Sequence, residues 1–435
     1  MSSSPHARAD SGFPPFAADP PSLPDRLFLA LPALAVGGYF VLRGWLNALL
    51  VVAGIVALVH CVRHPQAVRS LLRQADVRWM LLALASPLVA VLIVAASHQE
   101  LVPRYFDGPV RMLLAFAVLL YLASRRLDAA PVLALAVPVA VLSCAAMIFL
   151  VPASRQYFWD VDRFATYFID PLFLSQHIMI AGFLCLYSLH AWGRDPLALQ
   201  WLKLVALGAA LAISVGTESR TGWVMAPVLL VLWLVGMRHR GSARSMAGAI
   251  AVVALACLAV YLASDTVRIR IDEIGRDIRS YLDGSSRDSS VGLRISLFRA
   301  NWALFLQHPW TGWGYESLPD LKTVAAVAPF YTPLLDHYFV QSGGHNEFLQ
   351  AMMRMGVVGL ASRLLLFLVP LWIFARAAHS ADRGRRINGY FGLVVVIGYL
   401  TASASTEVIN LIHAASFYAL LVAVFAAGAI RRDDP

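Results

Sequence analysis

Twelve long apolar segments dominate this sequence of 435 residues. A helix needs about 20 apolar residues to cross the hydrocarbon of a bilayer. The segments lie at about 27–42, 45–62, 79–97, 109–124, 131–151, 171–192, 200–217, 222–237, 247–264, 353–375, 388–405 and 411–430. Only 14% of the residues are charged and 59% are hydrophobic, whereas a soluble protein is about one quarter charged. The sequence therefore predicts an all-α polytopic membrane protein with about 12 transmembrane helices, and it excludes a soluble enzyme.

Arginines in the short connections predict how these helices are oriented. Connections rich in arginine stay on the cytoplasmic side of a membrane, and in this sequence they lie mainly on the side of the two termini. Both termini are therefore predicted to be cytoplasmic and the one long connection periplasmic. The predicted units are a mobile cytoplasmic N-terminal tail (1–25), transmembrane helices 1–9 (26–264), a large periplasmic loop (265–352), transmembrane helices 10–12 (353–430) and a cytoplasmic C-terminus (431–435).

The loop at 265–352 contains two further helical patterns. An apolar stripe with spacings of three and four residues predicts an amphipathic helix over about 267–281, which lies along the membrane surface or covers a cleft. A second helix is predicted over about 291–307, because His308-Pro309 ends the pattern. The aromatic residues that follow either anchor the loop at the membrane interface or stack on sugar rings, and we favour the first interpretation.

The remaining composition excludes several functions. The formal net charge is +9, yet the chain has neither a Lys/Arg-rich run nor a zinc-ligand spacing, so no nucleic-acid partner is expected. The four cysteines lie in or beside apolar runs without a CxxC pair, which indicates packing residues rather than a disulfide framework. No glycine-rich phosphate loop with Lys and Ser/Thr is present, so ATP-driven transport is excluded.

Two arginines occupy polar motifs in the apolar background. Arg220 lies in Ser219-Arg220-Thr221-Gly222, at the boundary of the seventh and eighth segments. A guanidinium there is costly to desolvate unless it meets an anion or backbone carbonyls, although a side chain that snorkels to water is the alternative. Arg294 lies on the second loop helix. Together the two arginines would bind a pyrophosphate and neutralise the charge on a departing phosphate; alone, Arg294 is typical of a solvated helix residue.

A third polar motif, Gly343-Gly344-His345-Asn346, precedes the tenth segment. Paired glycines permit tight backbone geometry, and a histidine beside them can accept a proton near neutral pH. A structural histidine is the alternative interpretation. The predicted membrane segments contain almost no carboxylates, so no catalytic metal and no cofactor are expected, and arginines would supply the electrostatic stabilisation.

Taken together, these motifs resemble the O-antigen ligase and polymerase superfamily of bacterial inner-membrane proteins. The resemblance rests on the arginine of the Ser219-Arg220 turn, the Gly292-Leu293-Arg294 helix start, and the Gly344-His345-Asn346 segment that opens the next span. It covers residues from about 216 to 360, and the spacing of the motifs is most similar to the ligases. The fold that it implies is similar to the metal-independent GT-C glycosyltransferases.

The resemblance implies an inverting glycosyltransferase of the Gram-negative inner membrane whose active site faces the periplasm. Such an enzyme moves O-antigen from undecaprenyl pyrophosphate, the donor, to lipid A-core, the acceptor, and it works among membrane lipids. Arg220 and Arg294 would bind the pyrophosphate and stabilise it as leaving group. His345 would deprotonate or orient the acceptor hydroxyl, and Asn346 would position its neighbour in the substrate-binding region.

Other functions remain open at this stage. An O-antigen polymerase uses the same carrier with a different acceptor, and a protein-glycosylating ligase attacks a Ser or Thr hydroxyl. A flippase or other transporter of lipid-linked oligosaccharides needs ionisable residues at mid-membrane or broken helices in corresponding halves. A structural scaffold needs none of the three polar motifs. Because the polar groups gather at the outer face, the sequence disfavours a transporter. The ligase is favoured over the polymerase by the resemblance in motif spacing.

Overall fold

The computed structural model describes residues 21–151, 163–237, 243–409 and 411–430. Within them the regular elements are helices without strands, which confirms the all-α prediction. The helices are α1 (Leu23–Gly37), α2 (Trp45–Arg63), α3 (Pro65–Arg73), α4 (Ala75–His98), α5 (Asp107–Ser124), α6 (Ala130–Leu150), α7 (Pro171–Ser188), α8 (Leu197–Gly216), α9 (Arg220–Met237), α10 (Ala243–Ala263), α11 (Asp265–Leu282), α12 (Ser290–Gln307), α13 (Pro333–Ser342), α14 (Glu347–Ala378), α15 (Arg383–Ser403) and α16 (Ile412–Ala429).

Each of the twelve predicted segments overlaps a helix, but not every helix meets the requirements of a membrane span. In the described residues, eight helices are long and apolar enough: α2, α4, α5, α6, α7, α8, α14 and α16. A ninth span is possible if α10 and α11, which meet at a bend of 97°, are taken as one. α1 has 15 residues, and α9 counts as a shorter apolar helix because only Arg220–Gly236 qualifies. The count of twelve and the GT-C-like fold therefore stay predictions.

The helices form a bundle whose outer surface is apolar. α7 and α16 are almost entirely buried, whereas α2 and α8 expose large hydrophobic side chains; Ile55 and Val205 are each 54% exposed. Exposed apolar surface of this extent is typical of contact with lipid. The chain is therefore a multi-pass membrane protein.

A histidine in the buried helix α7 is satisfied by its neighbours. His177 meets the Tyr39 hydroxyl at 2.8 Å through Nδ1 and the Tyr399 hydroxyl at 3.1 Å through Nε2. Because both ring nitrogens have partners, His177 acts as a hydrogen-bonded core residue.

The long connection between α10 and α14 folds over one end of the bundle. Both predicted loop helices are present as α11 and α12, and α12 ends immediately before His308-Pro309. α12, α13 and the segment between them share a small apolar core that includes Leu297 and Phe330. The aromatic loop pairs with α14 through Trp313 N to Met353 O and Gly314 N to Arg354 O, each at 3.0 Å. The loop is thus docked on α14 beside the end of the bundle where α5, α7, α9 and α16 begin.

Candidate active site

Arg220 is the first residue of α9 and is held by close packing below it. A Cβ on Gly222 would lie 2.0 Å from Ser175 Oγ and 2.5 Å from Ser214 Oγ, so the start of α9 packs directly on α7 and α8. Thr221 shares a hydrogen bond of 2.7 Å with the Ser405 hydroxyl. The Arg220 Nη2 atom donates to Glu273 of α11 at 2.9 Å, while Nη1 is buried without a hydrogen-bond partner among the described residues. This buried N–H group therefore lacks the hydrogen-bond acceptor that an anion could supply.

Arg294 lies one turn into α12, after the Ser289 side chain caps the helix by accepting from Gly292 N at 3.2 Å. Burial lowers the pKa of its guanidinium below the ordinary value, and the charges of Arg220 and Arg163 lower it further. In the described parts of the chain, no carboxylate forms an ion pair with Arg294. Partly buried positive charge without a counter-charge is unfavourable, and a bound anion would relieve it.

Arg163 is a third arginine of this group, and sequence reasoning missed it as a site residue. Its Nε atom donates to the Thr217 carbonyl at 2.7 Å, which fixes it beside the turn that leads into α9. Its charge acts on Arg294. No motif surrounds it in the sequence, and it is far along the chain from both Arg220 and Arg294. We call Arg163, Arg220 and Arg294 the arginine cluster.

His345 is held by a short segment with strained backbone. Gly343 has φ +68° and ψ −161°, a conformation nearly confined to glycine, and its Cβ position would lie 1.9 Å from Glu407 Oε1. Gly344 N donates to Glu407 Oε1 at 2.8 Å and to Gln350 Oε1 at 2.9 Å. His345 itself has φ +49°. These contacts position the imidazole at the start of α14.

The His345 ring lies next to the arginine cluster. Burial lowers the pKa of the imidazole below its ordinary value and the charge of Arg294 lowers it further, while a hydrogen bond to the Ser405 main chain opposes both. Both effects favour the neutral form of the ring. A neutral imidazole that donates one N–H to a main-chain carbonyl keeps its other nitrogen as a proton acceptor. His345 can act as a base in this setting.

Asn346 caps α14. Its Oδ1 atom accepts from Phe348 N and Leu349 N, both at 3.0 Å, and its Nδ2 donates to the Ala404 carbonyl at 3.2 Å. This cap explains why α14 begins at Glu347, six residues before the predicted span. The contacts fix the start of α14 directly after His345, and the predicted roles of Asn346 in positioning its neighbour and in substrate binding stay predictions.

The segment 404–409, between α15 and α16, joins the two halves of the site, and sequence reasoning missed it. Ser405 contacts both Thr221 and the His345 ring, while Glu407 accepts from Gly344 N. Further along, Ile409 N donates to Glu347 Oε2 at 3.1 Å. The pattern Ser405-Thr406-Glu407 at the end of an apolar run is a weak sequence signal. It becomes meaningful only once α9 and α14 are known to meet there.

A cavity of about 580 Å³ opens beside His345. Its walls come from the starts of α5, α7 and α14, the aromatic loop and the segment 404–409. The polar side chains of the wall are Arg104, Tyr105, Asp170, Tyr315, His345, Glu347, Gln350, Arg354, Arg363, Thr406 and Glu407. His345 lines this cavity and also interacts with Arg294, so it connects the cavity with the arginine cluster.

The carboxylates near the site are engaged with arginines or amides rather than grouped around a metal position. Glu273 pairs with Arg220, and Glu218 pairs with Arg270. In the part of the chain that the structure describes, no three His, Cys, Asp or Glu side chains form a group that could hold a metal ion. Metal-independent chemistry stays a prediction.

Comparison with known families addresses the predicted resemblance directly. Residues 204–364 match the model of a family described as O-antigen ligase. The resemblance to this superfamily is confirmed. The family segment includes Arg220, Arg294, His345 and Asn346, while Arg163 and the segment 404–409 lie outside it.

One relative is similar to about half of the chain, and its description states no function. An uncharacterised protein of Haemophilus influenzae is 20% identical over 224 residues, which cover 51% of this chain and 55% of that protein. The chain thus spans about half the length of the curated relative that it matches.

We expect Gly343→Ala to lower activity by about 10²-fold, because displacement of His345 by about 1 Å has an effect of that size. The new methyl group would collide with the Glu407 carboxylate in a backbone conformation that alanine avoids. Gly284→Ala is the matched control: Gly284 has φ +78° with no atom within 4 Å of its Cβ position. Initial rates of the purified variants test this, and equal losses in both variants would contradict the role of Glu407 crowding.

Proposed function

We propose that the protein is an O-antigen ligase, which transfers a glycan from undecaprenyl pyrophosphate to lipid A-core. The observation that carries the proposal is the arginine cluster next to His345. In the described residues, Arg294 is partly buried and has no carboxylate partner, and Arg220 has a buried N–H group without a hydrogen-bond partner. Guanidinium groups without such partners favour an anion with several charged oxygens, such as a pyrophosphate.

The residues suggest how the transfer proceeds. The acceptor hydroxyl attacks the anomeric carbon of the donor sugar from the face opposite the pyrophosphate, and His345 takes the hydroxyl proton. A new glycosidic bond forms as the bond between the anomeric carbon and the pyrophosphate oxygen breaks. The electron pair leaves with the pyrophosphate, whose growing charge Arg220 and Arg294 stabilise. This single displacement inverts the anomeric configuration.

The setting of the site supports the rest of the assignment. The family resemblance implies the lipid-linked donor, the lipid acceptor, a GT-C-like fold and the Gram-negative inner membrane. The arginine distribution of the connections favours cytoplasmic termini, so the end of the bundle with His345 would face the periplasm. Because no ATP is available there, the energy for transfer must be stored in the activated donor.

Transfer in vitro tests the proposal. Purified protein in detergent is mixed with undecaprenyl-pyrophosphate glycan, lipid A-core and EDTA, beside His345→Ala and Arg220→Ala. A larger glycolipid from the wild type alone supports a metal-independent ligase. Lengthening of the carrier-linked glycan instead would identify a polymerase. If folded wild type makes neither product, or if His345→Ala retains full function in cells, the transferase assignment fails and the transporter becomes the better explanation.

A further inference from the structure

Two arginines at the wall of the cavity are separate from the arginine cluster. Arg104 follows α4 and Arg354 belongs to α14, and both line the cavity beside His345. In the described residues neither arginine forms an ion pair with a carboxylate. The third arginine of the wall, Arg363, differs because it is buried and paired with Glu347. The cavity therefore contains two guanidinium groups whose charge is not neutralised by an ion pair.

Both arginines are attached to one pair of stacked tyrosines. The rings of Tyr105 and Tyr315 stack with centroids 3.7 Å apart. The Arg104 guanidinium lies 4.9 Å from the centroid of the Tyr105 ring, and its Nη2 donates to the Tyr105 hydroxyl at 3.1 Å. Arg354 Nη1 donates to the Tyr315 carbonyl at 2.7 Å. One donor group of each guanidinium is used for this attachment, which fixes the two charges at one end of the cavity.

The cavity wall also contains the carboxylates of Asp170, Glu347 and Glu407, and in the described residues none of them forms an ion pair with Arg104 or Arg354. Another carboxylate at this end of the cavity, that of Glu100, is engaged with the aromatic loop. Glu100 accepts from Tyr315 N at 3.0 Å and from Glu316 N at 3.2 Å, and it also bonds to the Ser317 hydroxyl. Glu100 thus anchors the loop after Tyr315 and leaves the arginines unpaired. A site with rigid guanidinium groups and aromatic walls is well suited to an anionic sugar.

Arg354 lies on the face of α14 that contacts the His345 segment. Gln350 contacts the His345 segment through Gly344 N, and Arg354 follows it by four residues on α14. Residues at this spacing are neighbours on one helix face, about 6 Å apart between Cβ atoms. An anion bound by Arg354 would therefore lie in the same cavity as His345, on the helix face that contacts the His345 segment.

We infer that this cavity binds the acceptor glycolipid through an anionic group that is held by Arg104 and Arg354. The inference rests on the proposed function, since it specifies the acceptor of that same site. A phosphate ester and a sugar carboxylate supply the same chemistry to the two guanidinium groups. The donor pyrophosphate is held separately, by the arginine cluster.

Equilibrium binding of lipid A-core to the full-length protein in nanodiscs tests the inference without depending on turnover. Arg104→Gln and Arg354→Gln are each expected to raise the Kd for the acceptor about tenfold or more, the size of one lost charge-assisted hydrogen bond. Arg276→Gln on α11 is the matched control, because Arg276 is exposed and does not line the cavity. Binding of the undecaprenyl-pyrophosphate donor should be unchanged in all three variants.

The acceptor is varied as well, to identify the anion. Lipid A-core is used intact, with its core phosphates removed, or with its sugar carboxylates reduced. The treatment that removes the bound anion should weaken binding to the wild type, and it should abolish the difference between wild type and Arg104→Gln. The inference would be overturned if Arg104→Gln bound all three acceptors more weakly than the wild type by the same factor. It would also be overturned if the variant bound none of them more weakly. Since Arg104 is exposed, its variant keeps the test valid if Arg354→Gln does not fold.

The two proposals fail in different ways. If the wild type transfers glycan but Arg104→Gln and Arg354→Gln bind the acceptor normally, the acceptor site is wrong and the ligase assignment stands. If the wild type neither binds lipid A-core nor transfers glycan to it, the proposed function itself is wrong.

Discussion

Arg294→Ala is expected to lower kcat by about 10²–10³, the loss typical when one stabiliser of a developing negative charge is removed. Arg294 is well placed for this role because it lies beside Arg220 and Arg163 without a carboxylate partner among the described residues. Its positive charge is not already neutralised in an ion pair. If it acts mainly in the transition state, kcat and kcat/KM fall by similar factors, and the KM for the donor changes little.

A neighbouring arginine on the same helix provides the control for this prediction. Arg299 is exposed, lies 4.3 Å from the centroid of the Phe330 ring and donates to the Tyr281 hydroxyl at 3.1 Å. Arg299→Ala removes a guanidinium from α12 and leaves the arginine cluster intact, so kcat should stay within a few fold of wild type. A rise in donor KM with unchanged kcat in Arg294→Ala would contradict leaving-group stabilisation and leave only ground-state binding.

Arg294→Lys separates charge from geometry. Lysine keeps the positive charge as a single point but cannot form the two parallel hydrogen bonds of a guanidinium with phosphate oxygens. We expect the lysine variant to recover only part of the rate lost in the alanine variant. Full recovery would indicate that the charge alone matters at this position.

The sequence predicted the helices better than the contacts between them. Hydrophobic periodicity is local, so it located segments that overlap twelve helices, and it predicted α11 and α12 from stripes of apolar residues. It could not decide how many helices cross the membrane, because α1 and α9 are short and α10 bends by 97° into α11. Length and bending depend on packing, which the local pattern does not contain.

In the candidate site, too, local features were predicted and contacts between distant segments were not. Arg220 and His345 stood out because polar residues are costly in an apolar background, whereas Arg294 was chosen among the loop arginines because of the family resemblance. The structure brings Arg294 close enough to act on His345. Arg163 and Ser405 have no such contrast with their neighbours in the sequence. They belong to the site only because the turn before α9, the start of α14 and the segment 404–409 meet in three dimensions.

His345→Ala is expected to lower kcat by about 10²–10⁴, the contribution typical of a general base. His345→Gln should lose as much, because an amide can still donate a hydrogen bond to the Ser405 main chain but cannot take a proton at neutral pH. His337→Ala on α13, where the histidine is exposed, is the matched control and should retain wild-type turnover. Full activity in His345→Gln would assign His345 a positioning role instead of a proton-transfer role.

The pH profile distinguishes a base from a positioning residue more sharply. A base works in its neutral form, so kcat/KM should fall on the acid side as the ring gains a proton. Burial and the charge of Arg294 lower the pKa of His345. The midpoint of the acid limb should therefore lie below pH 6.5, the ordinary pKa of a histidine. Arg294→Gln removes the repulsive charge, so the pKa of His345 should rise and the acid limb should move to higher pH. Arg299→Gln should leave the limb in place; a limb that does not move in Arg294→Gln would mean that another group limits the rate.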